Sequence, residues 1–172
     1  MNEVVKNLLE RRSVRGYKKD LVPTDVLDEI LEAGKYAPSG MGQQKTLMVV
    51  TQDPELVAKL SRMNADVMGS TNDPFYGAPT VVIVFADSEQ VTCVENGSLV
   101  MGNLMNAAHA LGVDSCWIHR AREVFDSEEG KALKAEWGVP ESYVGIGHCV
   151  LGYRSGEYPE AKARKDDFVI KV

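Results

Sequence analysis

The sequence predicts a single layered domain in which helices and strands alternate. Two continuous apolar runs, residues 80–86 and 143–152, have the composition of strands that are buried on both faces. Segments with a helical period flank these runs, so helices are available to cover the strands. A chain of 172 residues is long enough to bury a sizeable core and short enough for one domain. We therefore predict one layered α/β domain over residues 1–172.

The order of the elements follows from local start and stop signals. Asp53-Pro54-Glu55 is typical of a helix start, with a capping acid and a proline in the first turn. A second helix starts at Leu21-Val22-Pro23-Thr24, with Thr24 or Asp25 as its possible cap, and it should end before Pro38. The predicted helices cover residues 2–11, 24–36, 53–65, 90–111 and 127–137, and the predicted strands cover residues 46–51, 80–86, 113–118, 143–152 and 168–172.

The charge balance argues against some classes of partner. Lys and Arg number 19 against 25 Asp and Glu, a formal net charge of -6, so neither nucleic acid nor an anionic membrane is an expected partner. No apolar run approaches the roughly 20 residues that span a bilayer, and the first residues lack a signal-peptide pattern. Cys93, Cys116 and Cys149 contain no CxxC pair, so we expect buried free thiols and a cytoplasmic protein.

Motifs that would identify a familiar catalytic or nucleotide site are absent. The chain has no GxGxxG after a strand, no GxxxxGK[ST] and no GxSxG elbow. The histidines lack metal-ligand spacing, so no metal site is predicted. Cys116 and His119 could form a nucleophile and its base, but strand alternation would place them on opposite faces.

Two basic groups remain as candidates for binding chemistry. The segment Arg11-Arg12-Ser13-Val14-Arg15 contains three guanidinium groups and a hydroxyl, and Lys162-x-Arg164 lies in a stretch without periodicity. In one interpretation these cations stabilise a helix end and keep the surface solvated. In the other they converge on one phosphate, a group that arginine binds bidentately.

Several short segments match, in order, the motifs of one known family. They are Arg11–Tyr17 (RRSVRGY), Ala37–Gln44 (APSGMGQQ), Gly77–Pro79 before an apolar strand, Leu111–Ile118 (LGVDSCWI), Val139–Glu141 with Val150–Tyr153, and Lys162–Arg164. This ordered set resembles the FMN-dependent nitroreductase family over nearly the whole chain.

The resemblance implies both an architecture and an activity. The fold would be a three-layer α/β/α sandwich of the α+β class, with a central, mostly antiparallel sheet flanked by helices. Two chains would form an obligate homodimer with two FMN molecules at the interface, and residues 168–172 would pair with the partner's sheet. The enzyme would transfer hydride from NAD(P)H through flavin N5 to a nitroaromatic, quinone or similar small acceptor, with ping-pong kinetics.

The resemblance also assigns cofactor-binding residues by position. The cluster at 11–15 and the pair at 162–164 would hold the phosphate and ribityl chain. The loop at 38–44 would cover the ring system from the other subunit, and the segment 118–120 would present backbone N–H groups near N5 and O4. The residues assigned in this way are Arg11, Arg12, Ser13, Arg15, Pro38, Ser39, Gly40, Gln44, Ile118, His119, Arg120, Lys162 and Arg164. No side chain is assigned a catalytic role, because the flavin carries the chemistry.

The sequence departs from the family pattern at the predicted ring site. His119 and Arg120 stand where two glycines are often found. Arg120 could bind an anionic substrate or a nicotinamide phosphate, the two side chains could obstruct access, or Arg120 could lie on the surface. Obstruction would favour a flavin-binding sensor or carrier with little turnover. The family's asparagine after the third helix could be Asn64 or Asn72.

Overall fold

Four strands form the centre of the structure. In the computed structural model, which describes residues 1–172, they are β1 (Thr46–Thr51), β2 (Thr80–Asp87), β3 (Asp114–Ile118) and β4 (Tyr143–Gly152). Their order in the sheet is β1-β2-β4-β3, and every pairing is antiparallel. The antiparallel central sheet expected from the resemblance is confirmed.

Six helices cover the sheet or flank it. They are α1 (Glu3–Glu10), α2 (Thr24–Lys35), α3 (Pro54–Met68), α4 (Cys93–Ala110), α5 (Ala121–Asp126) and α6 (Glu128–Glu136). The sequence did not predict α5, because six residues are too few to show a helical period. The expected cap of α2 by Thr24 or Asp25 is wrong, since Pro23 is the capping residue and no side chain caps this end.

Alternation along β2 explains the three layers. Val81, Ile83 and Phe85 belong to one core with side chains of α3, α5 and α6. Val82 and Val84 belong to a second core with side chains of α2 and α4. Since all eight residues of β2 are buried, this strand separates the two helical layers.

Three segments contribute little to either core. No residue of α1 is buried, and its apolar stripe is between 46% and 68% exposed at Val4, Val5, Leu8 and Leu9. The loop at 38–44 is mostly exposed, and so are all residues after Pro159. Within the single chain, residues 168–172 form no strand, so the predicted terminal strand has no partner there.

Candidate functional site

The basic segment at 11–15 lies along β3. The backbone N–H of Val14 donates to the carbonyl of Ser115 over 3.0 Å, and Ser13 forms a parallel bridge with the same residue. The burial of Val14 holds the segment against the sheet. Arg15, the residue after Val14, is exposed, so the basic segment presents a cation next to β3.

Arg15 and the segment 118–120 line one cavity of about 330 Å³. The loop that follows α3 forms its other wall, with Ser70, Asn72 and Tyr76 among the lining residues. The backbone N–H groups of His119 and Arg120 donate to no protein acceptor. The structure thus brings together two predicted groups that are about a hundred residues apart in sequence.

A larger cavity of about 770 Å³ lies next to this one. It opens between α3 and the loop at 70–79, and the two cavities share Ser70, Asn72 and Asp73. None of the predicted site residues lines it. Size alone would therefore have selected the wrong cavity for the predicted binding groups.

Two guanidinium nitrogens in the basic segment are buried without a partner. They are Nη1 of Arg11 and Nε of Arg12. The other end of Arg12 is satisfied, because its Nη1 donates to the carbonyls of Leu9 and Arg11 over 2.7 and 2.8 Å. A desolvated cation without an acceptor is costly, so these atoms fit a site that binds an anion.

The phenol of Tyr158 connects the basic segment to the C-terminal stretch. Its oxygen accepts a hydrogen bond from the Arg12 backbone N–H over 2.8 Å and donates to the Glu10 carbonyl over 3.1 Å. The Arg154 guanidinium lies 5.1 Å from the centre of the Tyr158 ring and also binds Asp114. Nothing in the sequence distinguished Tyr158, because its partners are 146 and 148 positions away.

A buried polar network supports the segment 118–120 from behind. The amide nitrogen of Asn64 donates to the His119 carbonyl over 2.7 Å, and the amide oxygen accepts from Nε of Arg120 over 3.2 Å. Asn64 is fully buried, whereas Asn72 is exposed and lines the cavity wall. The two candidate asparagines therefore have different positions: Asn64 contacts the segment 118–120 from the core, and Asn72 lines the cavity.

His148 on β4 belongs to the same buried layer. Its Nδ1 lies 3.5 Å from the amide nitrogen of Asn64, and its ring packs against Phe75 and Phe125. Complete burial lowers the pKa of His148 to about 3, so the imidazole is neutral at physiological pH. A lone polar residue inside an apolar strand was the only sequence signal for it.

The remaining predicted residues lie away from the cavity. The Gly40 N–H donates to Asn96 Oδ1 over 2.9 Å, and Ser39 Oγ accepts from the Gln44 N–H over 3.0 Å. These contacts place the loop at 38–44, including Pro38, near the start of α4. Lys162 and Arg164 are exposed, and Arg164 Nη1 donates to the Lys162 carbonyl over 3.0 Å.

The structure gives little support for a cysteine nucleophile or a metal site. Cys93, Cys116 and Cys149 are free and buried, as predicted. Burial raises the pKa of the Cys116 thiol, which disfavours the thiolate that a nucleophile requires. Nowhere do three His, Cys, Asp or Glu side chains converge to hold a metal ion. None of the helices combines the length and apolar composition that a membrane crossing requires.

Comparisons with known proteins agree with this fold. The chain belongs to the Nitroreductase family, whose model matches residues 8–70 and 64–153. A crystal structure of a nitroreductase with bound FMN from Bacteroides fragilis is 32% identical, covers 100% of both chains and superposes with a TM-score of 0.92. A Thermus thermophilus protein named NADH dehydrogenase is 31% identical over 157 residues, covering 88% of this chain and 69% of its own. A Bacillus subtilis protein named FMN reductase [NAD(P)H] is 40% identical over 63 residues, 37% of this chain and 25% of its own.

Proposed function

We propose that this chain is an FMN-dependent NAD(P)H oxidoreductase that reduces a nitroaromatic, a quinone or a similar small acceptor. The observation that carries the proposal is the convergence of Arg15 and the segment 118–120 on one cavity. In the same basic segment, Arg11 and Arg12 each have a buried guanidinium nitrogen without a partner, although neither side chain lines this cavity. The bound FMN in the Bacteroides fragilis relative and the name of the Bacillus subtilis relative support the cofactor and the donor.

The residues present fit the parts of FMN. Arg11, Arg12 and Arg15 offer guanidinium donors for the phosphate, and Ser13 offers a hydroxyl for the phosphate or ribityl chain. The free N–H groups of His119 and Arg120 are suited to donate hydrogen bonds to the polar edge of the ring system. When bound, FMN would supply the hydride chemistry, taking hydride from NAD(P)H and passing it to the acceptor.

The chain's own contribution would be binding, orientation and charge. Asn64 fixes the His119 carbonyl, which orients the neighbouring N–H groups toward the cavity side. A Lys or Arg side chain of the basic groups that lies near the ring would stabilise negative charge that develops there. Because donor and acceptor would use the same place in turn, we expect ping-pong kinetics.

A homodimer would complete the site. The exposed apolar stripe of α1, the exposed loop at 38–44 and the exposed segment 168–172 are the surfaces that a second copy would cover. In this arrangement Pro38, Ser39, Gly40 and Gln44 of one copy would cover the ring bound by the other. Lys162 and Arg164 would complete the phosphate site, and the dimer would act in the cytoplasm.

The visible spectrum of the purified protein is the first test. We expect a yellow protein that releases FMN on denaturation and oxidises NADH or NADPH when an acceptor is added. A yellow protein that turns over neither donor would instead indicate a flavin-binding sensor or carrier. A protein that fails to bind added FMN would contradict the proposal altogether.

A further inference from the structure

The backbone at Arg120 is unusual for a residue with a side chain. Its φ angle of 71° lies in the left-handed region, which is unfavourable for a residue other than glycine. Glycine would adopt this conformation freely. At this strained position the chain carries a long cationic side chain, and Arg120 lines the candidate cavity.

Asn64 fixes the inner end of that side chain. The Arg120 Nε donates to the Asn64 amide oxygen over 3.2 Å, while the Asn64 amide nitrogen is held by the His119 carbonyl. Since Asn64 is fully buried, the guanidinium is anchored to the core by one of its donors. This anchoring reduces the entropy that the side chain would lose on gripping a ligand.

The outer end of Arg120 has no acceptor in the protein. Neither terminal nitrogen forms a hydrogen bond, and Arg120 makes no ion pair. Asp73, the acidic residue that lines the same cavity, accepts from Ser61 and from the backbone N–H groups of Phe75 and Gly77. Arg120 is thus a preorganised cation whose free donors match a planar, bidentate oxyanion.

We propose that Arg120 is a specificity-determining residue that binds the carboxylate of an anionic electron acceptor. The inference rests on the proposed function, because Arg15 in the same cavity is then committed to the cofactor and Arg120 is the cation left for the acceptor. A nitroaromatic carboxylic acid is the class of acceptor that fits. The 2′-phosphate of NADPH is the other oxyanion that could reach a guanidinium here.

The test compares 4-nitrobenzoate with 4-nitrobenzyl alcohol, a neutral analogue of similar shape, using NADH as the donor. We expect the ratio of their kcat/KM values to fall about tenfold in Arg120→Gly, as for the loss of one charged hydrogen bond at a half-buried site. Glycine suits the backbone at this position, so the variant should fold. Arg122→Ala removes the same charge from an exposed position two residues away and should leave the ratio unchanged.

A second measurement needs no turnover. Benzoate binding to the FMN-loaded protein, followed by calorimetry, should weaken about tenfold in Arg120→Gly and should weaken with rising salt in the parent. An unchanged acceptor ratio, or benzoate binding that is equal in both proteins, would overturn the inference. The inference would also be overturned by a variant that loses its preference between NADPH and NADH while the ratio of kcat/KM for the two acceptors stays constant. Failure of the parent to bind FMN would contradict the proposed function instead. If the parent binds FMN but oxidises neither NADH nor NADPH, the proposed turnover fails, and benzoate titration of the FMN-loaded protein still tests Arg120.

Discussion

The two halves of the candidate site differ in how completely one chain builds them. The half around Arg15 and residues 118–120 is assembled by backbone pairing with β3 and by the buried Asn64. The other half, the loop at 38–44 and the pair at 162–164, is exposed and shares no cavity with Arg15. If the proposed function holds, the contacts to the ring edge would be organised within one chain, whereas the cover over the ring would come from a second copy. Variants in the two halves should therefore differ in how strongly they weaken FMN binding.

Loss of the second copy should have the largest effect. In a Leu8→Asp/Leu9→Asp variant, burying two carboxylates at a dimer interface would cost several kcal/mol. We expect a monomer by light scattering and FMN affinity reduced about a hundredfold or more, because the covering loop is lost. Lys6→Ala, on the polar side of α1, is the matched control. A variant that stays dimeric would show that the apolar stripe of α1 does not hold the two copies together. A monomer with parental FMN affinity would show that the single chain builds the whole site.

Removing a cation from the half that one chain assembles should have the next largest effect. Arg15→Ala should weaken FMN about tenfold to a hundredfold, since a hydrogen bond to a charged group contributes roughly 1.5–3 kcal/mol. The thermal midpoint should change little, because Arg15 is exposed and makes no ion pair. Fluorescence quenching of FMN gives the Kd, with Lys18→Ala as the control. Equal FMN affinities in the two variants would remove Arg15 from the site.

The stability of the folded protein should depend on pH because of His148, which is buried behind the cavity. His148 is neutral in the folded protein, with its pKa lowered from 6.5 to about 3 by burial, while the unfolded chain binds a proton below 6.5. Folding stability should therefore fall as the pH drops below 6.5, by up to about 1.4 kcal/mol per pH unit, until the folded pKa is reached. His148→Gln should flatten this slope between pH 6.5 and 4 in urea unfolding. Identical slopes would mean that His148 does not govern acid stability.

The exposed pair at 162–164 should have the smallest effect. Arg164→Ala should weaken FMN about threefold to fivefold, because a solvent-exposed cation contributes roughly 0.5–1 kcal/mol. The effect should disappear at high salt, in contrast to that of Arg15→Ala. Lys165→Ala provides a control in the same exposed stretch, outside the segment 168–172 that a second copy would cover. If Arg164→Ala equals or exceeds Arg15→Ala at high salt, the exposed half is more ordered in the dimer than in the single chain.

Sequence patterns anticipated the fold well where apolar residues run without interruption. The strands over residues 46–51 and 143–152 were predicted with the bounds that the structure has, since apolar runs and the breakers beside them are local signals. Helix α5 was missed, because it follows a left-handed arginine and is too short for a period. The segment 168–172 was expected to be a strand, but its composition says nothing about which chain it would pair with.

The candidate site was anticipated only in part. Local basic composition indicated the segment at 11–15, and the order of motifs indicated residues 118–120. The roles of Tyr158, Asn64 and His148 depend on contacts between residues that are far apart in sequence, so no local pattern could reveal them. The proposal that Arg120 binds an acceptor likewise depends on a contact that no local pattern reveals, the hydrogen bond from its Nε to the Asn64 amide oxygen.

The single phenol of Tyr158 joins both ends of the chain. Because its oxygen accepts from the Arg12 N–H and donates to the Glu10 carbonyl, detaching the last fifteen or so residues would also release the start of the basic segment. The two termini should therefore open as one cooperative unit in hydrogen exchange, well below the energy of global unfolding. A protease that cuts before Tyr158 would then loosen Glu10 and Arg12, although it cleaves the chain about 146 residues away.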